Sequence, residues 1–567
     1  MILEQKIKVL LEKGLKKAFN RNLPILLNIP KQLEHGDLST NIAFILAGEL
    51  KKNPRVIAQE IIDHLKPLPE WIERVDWAGA GFINFVFKPT AYFEVLKEVL
   101  KEGKKFGSSK TGKGKKVILE FVSANPTGPL NVVSARAAVL GDTLANLLDF
   151  AGFKTHREYY VNDVGNQIEL FAQSLRARYL HALGQEAVIP EEGYQGDYLK
   201  KLGEELARGR HAGAVSQYET GSGRHPEDFK KIGLKKMLDW QKKSLKHFGV
   251  VFDKWYRQSD LIKKKMPQKA MAKLKERGFL YKKEGAHFFK STAFGDDKDR
   301  VVQKQDGEFS YFASDIAYHE DKFARGFQWA VDLLGPDHHG YVARTKAAVE
   351  ALGFKPEQLT ILIIQQVNLL QNEVLVKMSK RAGSLITMDD LLDEISVDVA
   401  RYFFLQRAAS TPLDFDLVLA KKETPENPVY YIQYAHARIE SIFAKAKEGG
   451  IKTGFKRIAL SLLNLPEEKE LAKKLLVFPD MVAEAAKDLA AHPLAFYALD
   501  LAKLFQAYYS QAKQDVRYKV VDLENRPKTE AKLYLLKNIQ IVLQNALRLM
   551  GISAPKRMES KDAPFAI

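Results

Sequence analysis

Hydrophobic positions follow two different spacings along the chain. Short apolar runs separated by helical patterns predict buried strands at 117–122, 156–161, 309–312, 329–334 and 359–364. Strands that alternate with helices predict a parallel sheet of the α/β class. From about Met388 helical spacing continues to the end and predicts a helical bundle, with long runs at 427–447, 467–490, 495–515 and 528–550.

The first part of the chain has a mixed pattern. Helical spacing at 2–18 and 40–65, with strand-like alternation at 74–77 and 82–87, predicts a small α/β module. The Gly-, Ser- and Lys-rich segment 103–116 predicts a linker, whose lysines either contact phosphates or are simply solvated. The predicted domains are 1–110, 111–390 with a connective insertion at about 180–300, and 391–567.

The composition of the chain excludes some classes of function and favours others. The chain has 567 residues, with 87 Lys and Arg against 70 Asp and Glu, and a formal charge of +17. This surplus indicates a polyanionic partner such as nucleic acid, or a basic surface that serves only solubility. The absence of cysteine excludes disulfides and thiolate chemistry and fits a cytoplasmic protein. No apolar run approaches the ~20 residues of a membrane-spanning helix, so no membrane association is expected.

A turn at 125–130 has the features of a phosphate-binding site. Gly128 allows close approach of the backbone to a ligand, and Pro129 stiffens the turn. The following helix would present its N-terminal N–H groups to an anion. Asn131 and Ser134 are spaced i, i+3, so both lie on one face of that helix start. The alternative is an ordinary strand–turn–helix with an N-cap.

A second candidate segment, 377–381, reads Lys-Met-Ser-Lys-Arg. A loop with two lysines and a serine can stabilise the charge that develops on phosphate oxygens during adenylate formation. Lysine-rich stretches are also common on surfaces. The segment gains weight because it follows the predicted α/β region.

Two further segments carry polar groups that suit a small ligand. If 311–322 is helical, Tyr311 and Asp315 share one face, and a phenol with a carboxylate suits a guanidinium. The alternative is a solvated amphipathic helix. Gly335 permits close approach of a sugar, and Asp337 can accept from hydroxyl or ammonium groups. His338 and His339 have no third ligand at metal spacing, so no metal site is expected.

These segments occur in the same order in arginyl-tRNA synthetases, and the chain resembles that family over nearly its whole length. The resemblance is carried by Glu120-Phe-Val-Ser-Ala-Asn-Pro-Thr-Gly-Pro-Leu, Tyr160-Val-Asn-Asp-Val-Gly-Asn-Gln-Ile, Gly193-Tyr-Gln-Gly-Asp-Tyr, Ser314-Asp-Ile-Ala-Tyr-His, Gly335-Pro-Asp-His-His-Gly-Tyr, Lys377-Met-Ser-Lys-Arg-Ala-Gly, Pro428-Val-Tyr-Tyr-Ile-Gln-Tyr-Ala-His-Ala-Arg and Asn545-Ala-Leu-Arg-Leu-Met-Gly.

The resemblance implies a Rossmann-type catalytic domain between a small N-terminal α/β domain and a C-terminal all-α anticodon-binding bundle. It implies ATP-dependent ligation of L-arginine to tRNA(Arg) through an arginyl-adenylate, with ATP and Mg²⁺. It also implies a cytoplasmic, monomeric enzyme that needs bound tRNA for the first step.

Matching positions receive roles from the same resemblance. Glu120, Tyr311 and Asp315 would bind the guanidinium, and Asn125 with Asp337 the α-amino end of arginine. The residues expected at the ATP phosphates are Asn131, Ser134, Lys377 and Lys380. The other ATP contacts would be Gly128, Pro129, Gly335, His338, Met378 and Ser379. The expected tRNA contacts are Tyr430, Tyr434, Arg438 and Tyr509.

The chain departs from the family at one motif. Where the family has two signature histidines, this chain has Asn131 and Ser134. An amide and a hydroxyl can still donate hydrogen bonds as imidazole does, so we expect an active enzyme. One alternative is a noncatalytic tRNA-binding paralogue. Another is a Rossmann nucleotidyltransferase of a different family, against which the helical C-terminal region argues.

Overall fold

The computed structural model describes residues 2–28, 30, 36–209, 226–376 and 386–558. In these ranges, no helix is both long and apolar enough to cross a membrane. The described chain forms an N-terminal α/β unit, a central parallel sheet with flanking helices, and a C-terminal helical bundle. This architecture confirms the fold class predicted from the sequence.

The N-terminal unit is an antiparallel sheet packed with helices. Its strands are β1 Leu38–Thr40, β2 Ile72–Ala78 and β3 Phe82–Phe87, in the order β1-β3-β2. Its helices are α1 Ile2–Phe19, α2 Ile42–Leu50, α3 Pro54–His64 and α4 Pro89–Glu102. Ile83, Phe85 and Phe87 alternate along β3 and are buried, so one face of the sheet lies in the core.

Five parallel strands form the central sheet, in the order β11-β10-β4-β5-β6. They are β4 Lys116–Glu120, β5 Lys154–Val161, β6 Lys254–Arg257, β10 Trp329–Leu334 and β11 Leu359–Ile363. The adjacent helices are α5 Val132–Phe150, α6 Asn166–Ala182, α11 Tyr311–Ala324 and α12 Tyr341–Ala351. Gly141 lets α5 approach the sheet closely, because a Cβ there would lie 2.2 Å from the Phe121 ring.

The chain between β5 and β10 also builds a peripheral unit. Its helices are α7 Asp197–Gly209, α8 Pro226–His247, α9 Gln258–Lys263 and α10 Met266–Glu276. Its separate antiparallel sheet contains β7 Leu280–Lys283, β8 Ala286–Phe289 and β9 Arg300–Gln303. The range 180–300, predicted as a connective insertion, therefore contains one strand of the central sheet, β6.

A third small sheet joins the central region to the bundle. It contains β12 Val367–Gln371, β13 Val374–Leu375 and β14 Leu413–Asp416, with helices α13 Met388–Glu394, α14 Val397–Leu405 and α15 Leu417–Lys421. Strand β14 corrects the prediction of continuous helix after Met388. Its Leu413 and Phe415 are buried at alternate positions, and the strand pairs in parallel with β12.

The C-terminal bundle contains four long helices, as the sequence pattern predicted. They are α16 Pro428–Glu448, α17 Pro466–Lys487, α18 His492–Ser510 and α19 Arg526–Met550. Helix α19 is the most deeply enclosed, with polar Lys532, Asn538 and Asn545 buried beside its apolar residues. The helix also contacts α4 and α5, so the bundle packs on both preceding parts of the chain.

Two other predictions of local structure were wrong. Residues 309–312 are not a strand, because α11 begins at Tyr311 and Ser310 caps it by accepting from the Ala313 N–H. The segment 103–116 is not a free linker. Asn545 Nδ2 donates to the carbonyls of Gly103 and Phe106, and Phe106 is buried.

Candidate active site

The candidate site lies where the connections of the central sheet reverse direction. Strand β4 leads through α5 to β5 on one side, whereas β10 leads through α12 to β11 on the other. Strands β4 and β10 are nevertheless neighbours. Open α/β sheets bind ligands at the carboxyl ends of their strands beside such a switch point.

The loop after β4 has an unusual backbone held by buried side chains. Val122 and Ser123 have φ values of 69° and 40°, a left-handed conformation that is strained for a β-branched residue such as valine. Tyr159 Oη donates to the Ala124 carbonyl at 2.9 Å, and Gln241 Nε2 donates to the carbonyls of Asn125 and Gly128. These contacts fix the turn that was predicted to hold a phosphate.

Asn131 is the N-cap of α5, which begins at Val132. Its Oδ1 accepts from the Ser134 N–H at 2.9 Å, so the Nδ2 amide group remains available to donate to a ligand. Asn131 also forms a bridge with Thr387, and the Met388 N–H donates to the Leu130 carbonyl at 2.8 Å. The start of α13 is therefore anchored directly at the N-terminus of α5.

Lys377, Met378, Ser379 and Lys380 lie outside the described residues. The described segments on either side are β12–β13 and the Thr387–Met388 anchor at α5. Arg136 holds α5 against the same region: it is buried and donates to the carbonyls of Gln365, Ala408 and Thr411.

Three carboxylates form a row across the middle of the sheet. Asp332 on β10 is the register partner of Glu120 on β4, and Glu120 is the register partner of Glu158 on β5. Register partners in a parallel sheet point to the same face. Helix α11 covers this face, and Lys322 and Arg325 at its C-terminal end neutralise the row.

Lys322 is fully buried between two of these carboxylates. Its Nζ donates to Glu120 Oε2 at 2.6 Å and to Asp332 Oδ1 at 2.7 Å. Burial lowers the pKa of Lys322, but the two carboxylates outweigh this effect and raise it overall. Glu120 Oε1 accepts from Ser123 Oγ at 3.0 Å. Both oxygens of Glu120 therefore have a protein donor, although each retains a further lone pair.

Glu158 is paired still more completely. Both of its oxygens accept from Arg325 at 2.7 Å, and Tyr318 Oη donates to Oε1 at 2.8 Å. Burial raises the pKa of Glu158, but hydrogen bonds from His156, Arg325 and Tyr318 lower it to about 2. This carboxylate stabilises the fold and is not available to a ligand.

Asp315 differs from the three paired carboxylates. Among the described residues, none donates a hydrogen bond to its side chain. Burial is the main cause that raises the pKa of Asp315 to about 6 overall, with smaller opposing effects of His319, which lowers it, and Glu120, which raises it. Asp315 is half-buried, and a carboxylate without a protein donor can accept from a cation that binds beside it. Asp315 is therefore a candidate for binding a cationic ligand.

Three other predicted ligand contacts differ in their exposure and in their partners. Tyr311 is 57% exposed, one turn before Asp315 on α11, and a Cβ at Gly165 would lie 2.7 Å from its Oη. Asn125 Nδ2 donates to Gln167 Oε1. The side chain of Asp337 is 80% exposed, and its nearest ionic partner is His338 at 3.6 Å.

Two residues of this site were not assigned from the sequence. Lys322 lies seven positions after Asp315, at the helical spacing that puts both on one face, but its partners come from strands far away in the chain. Tyr160 was recognised only as part of a motif, and its buried hydroxyl has no hydrogen-bond partner among the residues that the structure describes.

A separate aromatic and basic cluster lies on the bundle. The rings of Tyr430 and Tyr434 stack with centroids 6.2 Å apart. The Arg438 guanidinium lies 4.5 Å from the Tyr434 ring centroid and 5.1 Å from that of Tyr509. Phe505 and Tyr508, which lie on the same helix as Tyr509, are instead buried in the core.

Three protein-family models match successive parts of the chain. The "Arginyl tRNA synthetase N terminal domain" matches residues 5–87, and the "tRNA synthetases class I (R), catalytic domain" matches 95–404. The "DALR anticodon binding domain" matches 432–558.

Curated relatives match along almost the whole length. An "Arginine--tRNA ligase" of Geobacillus kaustophilus is 46% identical over 534 residues, which is 94% of each chain. The protein of the same name in Listeria monocytogenes is 45% identical over 535 residues, again 94% of each chain.

Solved structures show the same architecture. A putative arginyl-tRNA synthetase from Campylobacter jejuni is 34% identical, with a TM-score of 0.74, and the match covers 83% of this chain and all of that one. The Thermus thermophilus arginyl-tRNA synthetase is 22% identical, with a TM-score of 0.75, over 98% of this chain and all of that one. At 22% identity, the similarity to the Thermus thermophilus structure supports the fold alone.

Proposed function

The chain belongs to the arginyl-tRNA synthetase family, and we propose from this premise how its residues carry out the ATP-dependent ligation of L-arginine to tRNA. The observation that carries the proposal is Asp315. It is a half-buried carboxylate to which no described residue donates a hydrogen bond, on the helix that covers the three paired carboxylates of the central sheet.

The guanidinium of arginine binds to Asp315, with Glu120 and Tyr311 completing its surroundings. A guanidinium presents several N–H donors in a plane and can satisfy more than one acceptor group at once. The ammonium of lysine is a compact point charge that cannot span the same acceptors. Discrimination against lysine follows from the acceptors that lysine would leave unpaired. Asn125, and less directly Asp337, bind the α-amino end.

Activation takes place at the N-terminus of α5. A carboxylate oxygen of arginine attacks the α-phosphorus of ATP, the bond to the β-phosphate bridging oxygen breaks, and pyrophosphate leaves. The N–H groups of the helix start, the Asn131 amide and the Ser134 hydroxyl donate to the phosphate oxygens. Lys377 and Lys380 neutralise the charge on the leaving pyrophosphate.

The rest of the nucleotide lies across the neighbouring strand ends. Gly128 and Pro129 border the phosphates, Gly335 and His338 lie towards the ribose and adenine, and Met378 and Ser379 provide further contacts to ATP. Among the described residues, no three His, Asp or Glu side chains are grouped to hold a metal ion. Mg²⁺ bound with ATP would neutralise part of the charge on the phosphates, to which Asn131 and Ser134 donate.

Transfer to RNA is the second step. A ribose hydroxyl at the 3′ end of tRNA(Arg) attacks the arginyl carbonyl carbon and loses its proton, and AMP leaves. The bundle binds the anticodon region, with Tyr430, Tyr434 and Tyr509 as stacking surfaces and Arg438 as a cation beside them. The domains run over 1–110, 111–390 and 391–567, and the enzyme acts as a monomer in the cytoplasm.

The test is arginine-dependent exchange between ATP and pyrophosphate, measured with and without tRNA(Arg). We expect exchange with arginine and tRNA together, and no exchange when lysine replaces arginine. If tRNA binds with a salt-sensitive affinity but no exchange occurs, the replacement of the signature histidines by Asn131 and Ser134 has abolished catalysis, and the proposal is wrong.

A further inference from the structure

Tyr160 extends the arginine pocket beyond the residues assigned so far. It lies on β5 two positions after Glu158, towards the carboxyl end of the sheet. Alternate strand residues point to the same face, so Tyr160 shares the face covered by α11. Its ring centroid is 4.5 Å from that of Tyr318, which confirms this placement.

The geometry of the two elements brings Tyr160 level with Asp315. Tyr318 is bonded to Glu158, and α11 runs antiparallel to β5 because it leads into the parallel strand β10. A step of two residues along β5 covers roughly 6.6 Å. A step back of three residues along α11, from Tyr318 to Asp315, covers roughly 4.5 Å in the same direction. Tyr160 and Asp315 therefore form the next layer above the paired carboxylates.

The hydroxyl of Tyr160 is buried, and no group in the described part of the chain is a hydrogen-bond partner for it. Buried hydroxyls are normally paired, so an orphaned one indicates a missing ligand or water. The backbone N–H of Tyr160 donates to Ser123 Oγ, which itself donates to Glu120, so the residue is tied to the guanidinium pocket. Burial, followed by the charges of Asp315 and Glu120, raises the pKa of Tyr160.

We propose that the Tyr160 hydroxyl hydrogen-bonds directly to bound arginine and is a specificity-determining residue of this enzyme. The proposal rests on the proposed function above. With a neutral phenol beside two carboxylates, the pocket gains an acceptor for a guanidinium N–H without gaining another negative charge. It also penalises a ligand that leaves this hydroxyl unpaired, which adds to the rejection of lysine.

The test compares Tyr160→Phe with Tyr256→Phe in arginine-dependent pyrophosphate exchange with tRNA present. Tyr256 is the register partner of Tyr160 on β6, and its hydroxyl already contacts Met266 Sδ. We expect Tyr160→Phe to raise the KM for arginine about tenfold, as loss of one hydrogen bond to a charged ligand predicts. The KM for ATP and kcat should change less than about threefold. Tyr256→Phe should leave the KM for arginine unchanged.

Thermal unfolding distinguishes a ligand contact from a structural role. The unfolding temperature of free Tyr160→Phe should be no lower than that of the wild type, and arginine should raise it less. An unchanged KM for arginine would overturn the proposal, and so would a marked loss of stability in the free protein. Absence of exchange in the wild type itself would instead contradict the proposed function.

Discussion

The charge of Asp315 is offset by longer-range interactions, including one with Arg344, rather than by a hydrogen-bonded cation. Glu120, Asp332 and Glu158 each accept from a buried or half-buried cation of α11, whereas Asp315 has no such donor among the described residues. Keeping a carboxylate ionised in this setting costs stability. Such a cost at a strand end is the pattern expected of a substrate-binding group rather than of a structural one.

The change Asp315→Asn should separate binding from stability. We expect arginine activation to fall at least 100-fold, because an amide cannot pair with the guanidinium charge. The free protein should be as stable as the wild type or about 1–3 kcal/mol more stable at pH 7, since a costly buried charge is removed. Pyrophosphate exchange and chemical denaturation measure the two effects.

The matched control is Asp321→Asn, the same change on the same helix, where the carboxylate pairs with Arg325 at 2.8 Å. It should retain arginine activation and lose some stability. Activation by Asp315→Asn at the wild-type rate would disprove the assignment of the guanidinium site.

The pH dependence of the arginine KM should report the same carboxylate. The pKa of Asp315 in the free protein is about 6, above its ordinary value of 3.8. Below pH 6 the group is increasingly protonated, so the KM for arginine should rise as the pH falls. In Asp315→Asn this dependence should disappear, which assigns it to Asp315 rather than to another group of the site. A wild-type KM that is flat between pH 5 and 7 would contradict the prediction.

The free energy of unfolding of the protein without arginine should also depend on pH, and the contribution of Asp315 to it should become less favourable as the pH rises. Between roughly pH 4 and 6 the folded state holds a proton on Asp315 that the unfolded state has released. The contribution of this residue to the free energy of unfolding therefore decreases as the pH rises through that range. The free energies of unfolding of wild type and Asp315→Asn, measured by denaturation at pH 4, 5, 6 and 7, should be compared. The advantage of Asp315→Asn over the wild type should grow as the pH rises.

Individual elements show what the sequence could and could not predict. The start of α5 and its cap were predictable because Asn131, the turn and the helix are consecutive in the chain. The start of α11 was predicted as a strand because Phe309 and Phe312 lie on either side of the serine that caps the helix. This short apolar run resembles a strand. The pairing of Lys322 with Glu120 and Asp332 depends on strand order, and no local pattern encodes that order.

Asn131, at the N-terminus of α5, has two functions in the proposed mechanism. Its amide oxygen caps the helix, and its amide NH₂ donates to ATP. Asn131 Oδ1 caps the helix, so only its Nδ2 can serve a phosphate. Asn131→Asp should keep the cap, because aspartate caps helices as well as asparagine. It should reduce exchange at least 100-fold, because a donor is replaced by a negative charge facing ATP.

The control for this change is Asn53→Asp, at the N-cap of α3, where Asn53 Oδ1 accepts from the Arg55 N–H at 2.9 Å. Both variants should unfold within a few degrees of the wild type, and only Asn131→Asp should lose exchange. Exchange within threefold of wild type in Asn131→Asp would show that the amide does not contact the phosphates.

The whole molecule is joined at a buried arginine between the catalytic sheet and the bundle. Arg401 on α14 donates to Asp142 on α5, to the Phe248 carbonyl after α8 and to the Met550 carbonyl at the end of α19. Asn146 on α5 also donates to the Leu549 carbonyl. Helix α5, whose N-terminus is the proposed ATP-phosphate site, is thus bonded directly to the last helix of the bundle.

We therefore expect tRNA bound on the bundle to affect the position of α5 through this junction. Arg401→Met leaves two buried carbonyls without donors and should cost about 3–5 kcal/mol of stability. At a temperature where the variant is folded, we expect tRNA-stimulated exchange to fall at least fivefold while the Kd for tRNA changes less than threefold. Lys421→Met, which removes an exposed ion pair with Glu394, should change neither quantity. If Arg401→Met weakens tRNA binding as strongly as it weakens exchange, the junction supports the RNA-binding surface and does not couple it to the active site.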